Sequence, residues 1–228
     1  MTDAVAAVDA AIRSRHSIRA YLDKPVPAAL VTELLDLASR APSSTNLQPW
    51  KAYVLTGGAL KRVTGAVCQA FDSGPEKFKS VYPYYPEKFI EPFMSRRRKL
   101  GFAMYDLVGI EKGDSERMRL QARKNFEFFG APVGLFFTLN RSLPQAYYID
   151  YGAFFQNFMI AARARGLGTC LQFGWSDFHS VVASELKLDQ EEILISGMAL
   201  GYADMNEPIN RLVSEREPVS AFATFLAD

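Results

Sequence analysis

Two guanidinium groups and a hydroxyl fall within the five residues Arg15-His16-Ser17-Ile18-Arg19. Forked cationic donors match the oxygens of a phosphate, and a hydroxyl adds one more donor, so this run can hold a terminal phosphate. A second run, Ala41-Pro42-Ser43-Ser44-Thr45-Asn46-Leu47-Gln48-Pro49-Trp50, is polar and proline-bounded. It lies between a helical and a strand pattern and is expected to be an ordered loop of hydroxyl, amide and backbone donors. Arg216, in an aperiodic tail, is a third phosphate candidate. Each has a plainer reading: Arg15 and Arg19 also suit a charged helix end that complements the dipole, and Ser43 to Asn46 an ordinary capped turn. The alternation of Ser17-Ile18-Arg19-Ala20-Tyr21 favours binding, because a short extended segment puts Ser17 and Arg19 on the same side.

The elements around these runs follow from periodicity. Val5, Val8, Ala11 and Ile12 predict an amphipathic helix over Asp3 to Ser14 that delivers Arg15 at its end. Pro27 suits a first helical position, and Leu30, Val31, Leu34, Leu35 and Ala38 form an apolar stripe that stops before Pro42. Trp50 to Leu55 reads as a strand, Gly57-Gly58 as a break and Ala59 to Phe71 as a helix. From Asp72 to Pro92 the chain becomes rich in Pro, Tyr, Phe and Lys. Segments this long in compact domains are usually functional or disordered, and the aromatics Tyr82, Tyr84, Tyr85, Phe89 and Phe93 argue against disorder. The segment is read as an excursion covering a pocket, the alternative being a packing flap. Glu116 to Phe128 is a further helical pattern, and Val133 to Leu139 is a strand buried on both faces. Tyr147 to Arg165 is helical and apolar almost all round, which requires burial and makes a partner subunit a natural cover. Thr169 to Phe173 reads as a strand, Gly174-Trp175 as a turn, Asp177 to Leu186 as a helix and Ile193 to Gly201 as another buried strand. The tail beyond Tyr202, with Asn210, Arg211 and Arg216, stays ordered only if it docks on something.

Bulk properties narrow the function. The 228 residues make one domain, or one domain with an excursion. The 26 Lys and Arg nearly cancel the 25 Asp and Glu, so no global field draws the chain to nucleic acid or an anionic membrane. Arg96-Arg97-Arg98-Lys99 sits among apolar residues and is expected to form the wet face of a helix. The two cysteines, Cys68 and Cys170, and a start unlike a secretory signal point to a reducing cytoplasm and free thiols. His16 and His179 stand in no metal-ligand spacing, so no metal is expected. No apolar run reaches the roughly 18 residues of a membrane span. Gly166-Leu167-Gly168-Thr169-Cys170-Leu171 follows a helix rather than a strand and lacks the third glycine of a dinucleotide fingerprint.

The two N-terminal runs at this spacing, with Gly166-Leu167-Gly168-Thr169-Cys170 and Arg216-Glu217-Pro218, resemble the FMN-dependent nitroreductase family. The likeness covers nearly the whole chain and is weakest from Ser73 to Asp114. It implies a single α+β domain over residues 1–228, with a central, mainly antiparallel sheet flanked by helices, an excursion at about 72–114 over the active site, and an extended C-terminal tail in an intertwined homodimer. It further implies that Arg15, Ser17 and Arg216 take the FMN phosphate, with His16 contributing from backbone or ring. Arg19 would sit at the pyrimidine edge, where positive charge favours the two-electron reduced state. Leu171, Gln172, Phe173 and Gly174 would lie against the ring, the Gly174 N–H reaching N5 because glycine permits close approach. Pro42, Ser43, Ser44 and Asn46 would come from the opposite subunit.

The implied reaction is ping-pong: NAD(P)H is a transient co-substrate, and an electron-poor acceptor, a nitroaromatic above all, takes its place. Tyr82, Tyr84, Tyr85 and Phe89 are the candidate substrate contacts, because aromatics stack on flat rings. The sequence departs from one branch of the family at Phe173, where that branch has an acidic residue, and at Ser214, where it has a lysine. A reductive dehalogenase like the iodotyrosine deiodinases shares the arginine-rich start, but its Glu, Tyr and Lys lid is not evident between Phe89 and Asn125. A flavin-binding sensor is the alternative outside catalysis.

Overall fold

The computed structural model describes residues 3–227. Four strands, β1 (Lys51–Thr56), β2 (Val133–Asn140), β3 (Gly168–Gln172) and β4 (Glu192–Gly201), form one sheet in the order β1-β2-β4-β3. Every pairing is antiparallel. The two central strands are buried on both faces, all ten residues of β4 and all of β2 except Asn140, which is why they read as apolar runs without alternation. Both faces are covered by helices, giving the α+β architecture expected.

On one face α2 (Ala28–Ser39) and α6 (Tyr147–Ala164) pack Leu34, Ala38, Phe154 and Phe158 against Leu135, Phe137 and Leu139 of β2. On the other, α3 (Gly57–Asp72) and α7 (His179–Leu186) join Phe126, Phe128, Trp175 and Phe178 over Phe136. Each such fully buried apolar side chain contributes about 1.5–3 kcal/mol. The ladder between β2 and β4 skips Ile195, since Phe137 pairs with Ser196 and Thr138 with Leu194. This bulge leaves the Ile195 carbonyl free of β2.

Helix α1 (Asp3–Ser14) runs over the predicted residues, but in this chain its apolar positions Val5, Val8 and Ile12 stay about half exposed and only Ala11 is buried. Helix α6 is likewise covered on one face only, with Ile149 77% exposed. The expected helix from Glu116 to Phe128 is in fact α5 (Ser115–Arg123) followed by a 3-10 segment, Lys124–Gly130, in which Phe128 and Phe129 take positive φ. A regular helix could not turn both Phe126 and Phe128 into the core around Trp175, and the broken backbone does. The expected helix from Asp177 likewise begins later, at His179, after a 3-10 turn over Phe173–Phe178. Helix α4 (Phe93–Leu107) carries the basic run on its exposed surface, as expected, and uses it: Arg96 pairs with Glu217 at 3.0 Å, Lys99 with Glu215 at 2.6 Å, and Arg97 lies over the rings of Phe89 and Tyr85.

Candidate active site

After α1 the chain runs along the open edge of β3. Ser17 pairs in parallel with Thr169, the Ile18 N–H donates to the Thr169 carbonyl at 3.0 Å, and Tyr21 pairs with Ala203. The segment is therefore extended, as its alternation predicts. It sits so close that a Cβ on Gly168 would come within 2.6 Å of Ile18 Cγ1, so only glycine fits there. Asn210, fully buried, ties the tail to the same segment: its Oδ1 accepts the Arg19 N–H at 2.7 Å and its Nδ2 donates to the Ala20 carbonyl at 2.8 Å. The His16 ring lies between two carbonyls, those of Ser14 and Asn210, each 3.0 Å from a ring nitrogen. Nothing in the local sequence marked Asn210 for this junction.

The result is a gathering of cations beside β3. Arg15 has its pKa lowered, first by burial and then by the neighbouring Arg216 guanidinium. Cys170 of β3 is pushed up by burial, while Arg19, a Ser17 hydrogen bond and Arg15 pull the other way. Among the described residues, none of Arg15, Arg19 and Arg216 forms an ion pair with a carboxylate, whereas Arg119 and Arg123 both engage Asp72. The two glutamates flanking Arg216 are turned to α4, and the Arg216 guanidinium is braced on Ser214 Oγ at 2.7 Å and the Glu215 carbonyl at 2.8 Å. These cations are thus left without a carboxylate partner among the described residues.

A cavity of about 570 Å³ lies along the end of β3, and of these arginines Arg19 lines it, while Arg15 with His16 and Arg216 with Ser214 line two other hollows. Arg19, Leu171, Gln172, Phe173 and Gly174 line one side; Tyr84, Tyr85 and α4's Tyr105 line the other. Gln172 is buried, donates from Nε2 to Asn125 at 2.6 and 3.1 Å, and leaves its Oε1 with no partner. A buried acceptor without a donor costs about 1–3 kcal/mol, a demand the residues around this wall leave unmet. A larger hollow of about 820 Å³ lies at the β1 edge between α2 and α3, lined by Val31, Leu35, Val54 and Leu60 among others. No arginine lines it, whereas Arg19 lines the smaller cavity.

The turn Phe173–Phe178 is held from beneath and above. Beneath, Trp175 is wholly buried and stacks on Phe128 at 4.4 Å, with Gly197 leaving room for its indole: a Cβ there would meet Trp175 Cδ1 at 2.3 Å. Above, the excursion is fastened by a Ser80–Ser176 hydroxyl bond of 2.6 Å and by the Tyr84 hydroxyl, which donates to Asp177 Oδ2 at 2.5 Å. Burial raises the Asp177 pKa, opposed by Tyr84 and by the Ser80 backbone N–H.

Residues 12–202 match the family model described as the nitroreductase family. This chain belongs to the nitroreductase family. It is 40% identical over 219 residues to a nitrobenzene nitroreductase of Ectopseudomonas oleovorans, covering 96% of each chain. It is 42% identical to a chloronitrobenzene nitroreductase of Comamonas testosteroni, again over 96% of each. Its fold matches the solved FMN and NADPH-dependent nitroreductase NfnB from sphigopyxis sp. strain HMH with a TM-score of 0.94 and 35% identity, over 97% of this chain and 99% of that one.

Within this nitroreductase the expected site residues are partly gathered. Arg19 and Leu171 to Gly174 share the cavity wall, while Arg15 neighbours Arg216 outside it and lines a separate hollow with His16. Of the four excursion aromatics, Tyr84 and Tyr85 line the cavity. Tyr82 does not: it is 9% exposed in the core, its hydroxyl donating to the Ile195 carbonyl that the bulge frees. Phe89 stands behind Tyr85, its ring centroid 5.7 Å away. Pro42, Ser43, Ser44 and Asn46 are absent from the cavity of their own chain. Their loop is tied elsewhere, by the Ser44 N–H to Asp150 at 3.1 Å and the Gln48 N–H to Ser43 Oγ at 3.0 Å. It is a strained loop, with Thr45, Asn46 and Gln48 all at φ of 50–57°, a conformation costly for residues with a side chain. Phe173 is 42% exposed at the cavity wall. Asn125 and Asp177 are site residues the sequence did not single out; their place depends on the broken backbone after α5 and on the turn after β3. Cys68 and Cys170 are both free. Among the described residues no helix is long and apolar enough to cross a membrane, and no group of three His, Cys, Asp or Glu side chains is arranged for a metal.

Proposed function

We propose that this chain is an NAD(P)H-dependent FMN oxidoreductase that reduces nitroaromatic compounds in a ping-pong reaction, working as a homodimer. The observation that carries the reading is the set of arginines without carboxylate partners beside β3, Arg15 next to Arg216 and Arg19 in the wall of a cavity that also holds Leu171 to Gly174. Those residues fit FMN: its phosphate needs cations, and its isoalloxazine carries an N–H donor for an acceptor such as Gln172 Oε1. Bound FMN would supply the two-electron chemistry that links NAD(P)H to the acceptor. Arg15, Ser17 and Arg216 hold the phosphate, with His16 beside them. Arg19 places a fixed positive charge where negative charge grows on reduction. Leu171, Gln172, Phe173 and the Gly174 N–H face the ring. Tyr84 and Tyr85 wall the space in which a flat substrate stacks.

The homodimer follows from what one chain leaves open. Alongside the half-exposed face of α1, Phe222, Phe225 and Leu226 of the tail are 72–92% exposed. Apolar surface of this extent needs a cover, and a second copy brings the strained Pro42–Asn46 loop to a site its own chain leaves without it. The function is tested by incubating the protein anaerobically with FMN, NADPH and nitrobenzene and resolving the products. Appearance of nitroso or hydroxylamine product supports it; consumption of NADPH without any reduced nitrogen product contradicts it.

A further inference from the structure

Two-electron reduction of a nitro group breaks one N–O bond and releases the oxygen as water, R–NO₂ + 2e⁻ + 2H⁺ → R–NO + H₂O. One proton travels with the electrons as the hydride equivalent, and the other needs a donor. We propose that Tyr84 is that general acid and that Asp177, hydrogen-bonded to it, positions and recharges it; the proposal rests on the nitroreductase function above. With Asp177 protonated, the same contact runs the other way, the carboxyl donating to the phenol oxygen and freeing the phenol proton; the Tyr84 O–H bond then breaks as that proton passes to the departing nitro oxygen, the Asp177 carboxyl proton refills the phenol oxygen, and solvent refills Asp177.

The geometry singles out this pair. Asp177 lies three residues beyond Gly174 on the same turn, and Tyr84 reaches it from the excursion with an O···O distance of 2.5 Å. Both side chains line the cavity, and Asp177 is its one carboxyl group. The other titratable groups of the wall are Arg19, Tyr85 and Tyr105. Arg19 does not give up a proton. Tyr85 and Tyr105 have no hydrogen-bonded carboxyl among the described residues to recharge them. Tyr82 also faces Asp177, but its hydroxyl is spent in the core on Ile195. His16 and His179 are outside the wall. Burial of Asp177 lets its carboxyl keep a proton above the ordinary carboxylate range. The excursion holds the phenol in place through the independent Ser80–Ser176 bond.

Tyr84→Phe keeps the ring and removes the donor; Asp177→Asn keeps the shape and removes the acid. The test uses the FMN-loaded protein in anaerobic stopped flow, with each half-reaction read separately. Both variants are expected to retain flavin content and the rate of bleaching by NADPH. Reoxidation by nitrobenzene is expected to slow about 100-fold in Tyr84→Phe, as for loss of a general acid, while reoxidation by ferricyanide, which takes electrons without a proton, stays the same. The wild-type nitrobenzene rate falls as pH rises through the pKa of the pair, and Asp177→Asn moves that limb. In the flavin-free protein, the infrared carboxylic-acid band lost in Asp177→Asn should shift in Tyr84→Phe. Equal slowing with both oxidants, or a nitrobenzene rate retained in Tyr84→Phe, overturns the proposal. A wild-type flavin that NADPH does not bleach overturns the function itself, and is distinguished by that first step.

Discussion

Replacing Arg15 by Gln should have opposite consequences with and without FMN. In the free chain Arg15 is partly buried beside a like charge, Arg216, and no carboxylate offsets either. Removing one of two like charges relieves repulsion, although the exposure of Arg216 lets solvent screen most of it. The flavin-free melting temperature should therefore stay level or rise slightly. With FMN bound the same change deletes charge-assisted hydrogen bonds to phosphate, worth about 1.5–3 kcal/mol, or roughly 10–150-fold in Kd. In saturating FMN that loss should shrink the ligand-induced rise in melting temperature by about 3–12 °C for a chain of this size. Two assays suffice: quenching of flavin fluorescence for Kd, and melting curves with and without FMN. The deficit should narrow as salt is raised. If Arg15→Gln lowers the flavin-free melting temperature as much as the flavin-bound one, Arg15 is a structural helix end and the phosphate assignment is wrong.

Three further perturbations probe what holds the site. Tyr82→Phe should lower stability by about 1–2 kcal/mol, through the lost bond to the Ile195 carbonyl, and leave acceptor preference unaltered in steady-state kinetics; altered preference would return Tyr82 to the substrate pocket. Gly197→Ala should push Trp175 from its slot, costing about 1–3 kcal/mol by denaturant unfolding and weakening FMN retention, because the turn bearing Gly174 rides on that indole; retention at full strength would separate the two. His179 accepts the Leu194 N–H on Nδ1, and burial, then Arg141, lowers its pKa. Its neutral form is favoured by folding, so its contribution is present above the ordinary histidine range and lost as pH falls through it. Melting curves from pH 8 to pH 5 should show that loss, and His179→Gln should flatten it.

What was legible in the sequence is what short-range physics fixes. Continuous apolar runs marked β2 and β4, the stripe of α2 marked its buried face, and the alternation from Ser17 to Tyr21 placed two site groups on one side of an extended segment. What escaped depends on contacts between distant segments. The helix expected through Phe128 breaks because Phe126 and Phe128 must both enter the core around Trp175, a demand set by a turn some 50 residues later. Tyr82 looked like its neighbours Tyr84 and Tyr85, and only a bulge in β4 explains why its hydroxyl turns inward. Asn125, Asp177 and Asn210 carry no local motif, and their roles appear once the turn after β3, the broken segment after α5 and the tail are seen together. The basic run Arg96 to Lys99 was read as a wet face, which it is, but one that also clasps both glutamates beside Arg216.

The central claim is that the arginine cluster and its cavity make a two-step flavin reductase. The direct test is the visible spectrum of the purified protein with FMN, under anaerobic conditions, before NADPH, after NADPH and after a nitroaromatic. A protein-bound flavin spectrum should bleach with NADPH and return in full with the nitro compound. A protein that takes up no FMN, or whose bound flavin NADPH leaves oxidised, contradicts the central claim.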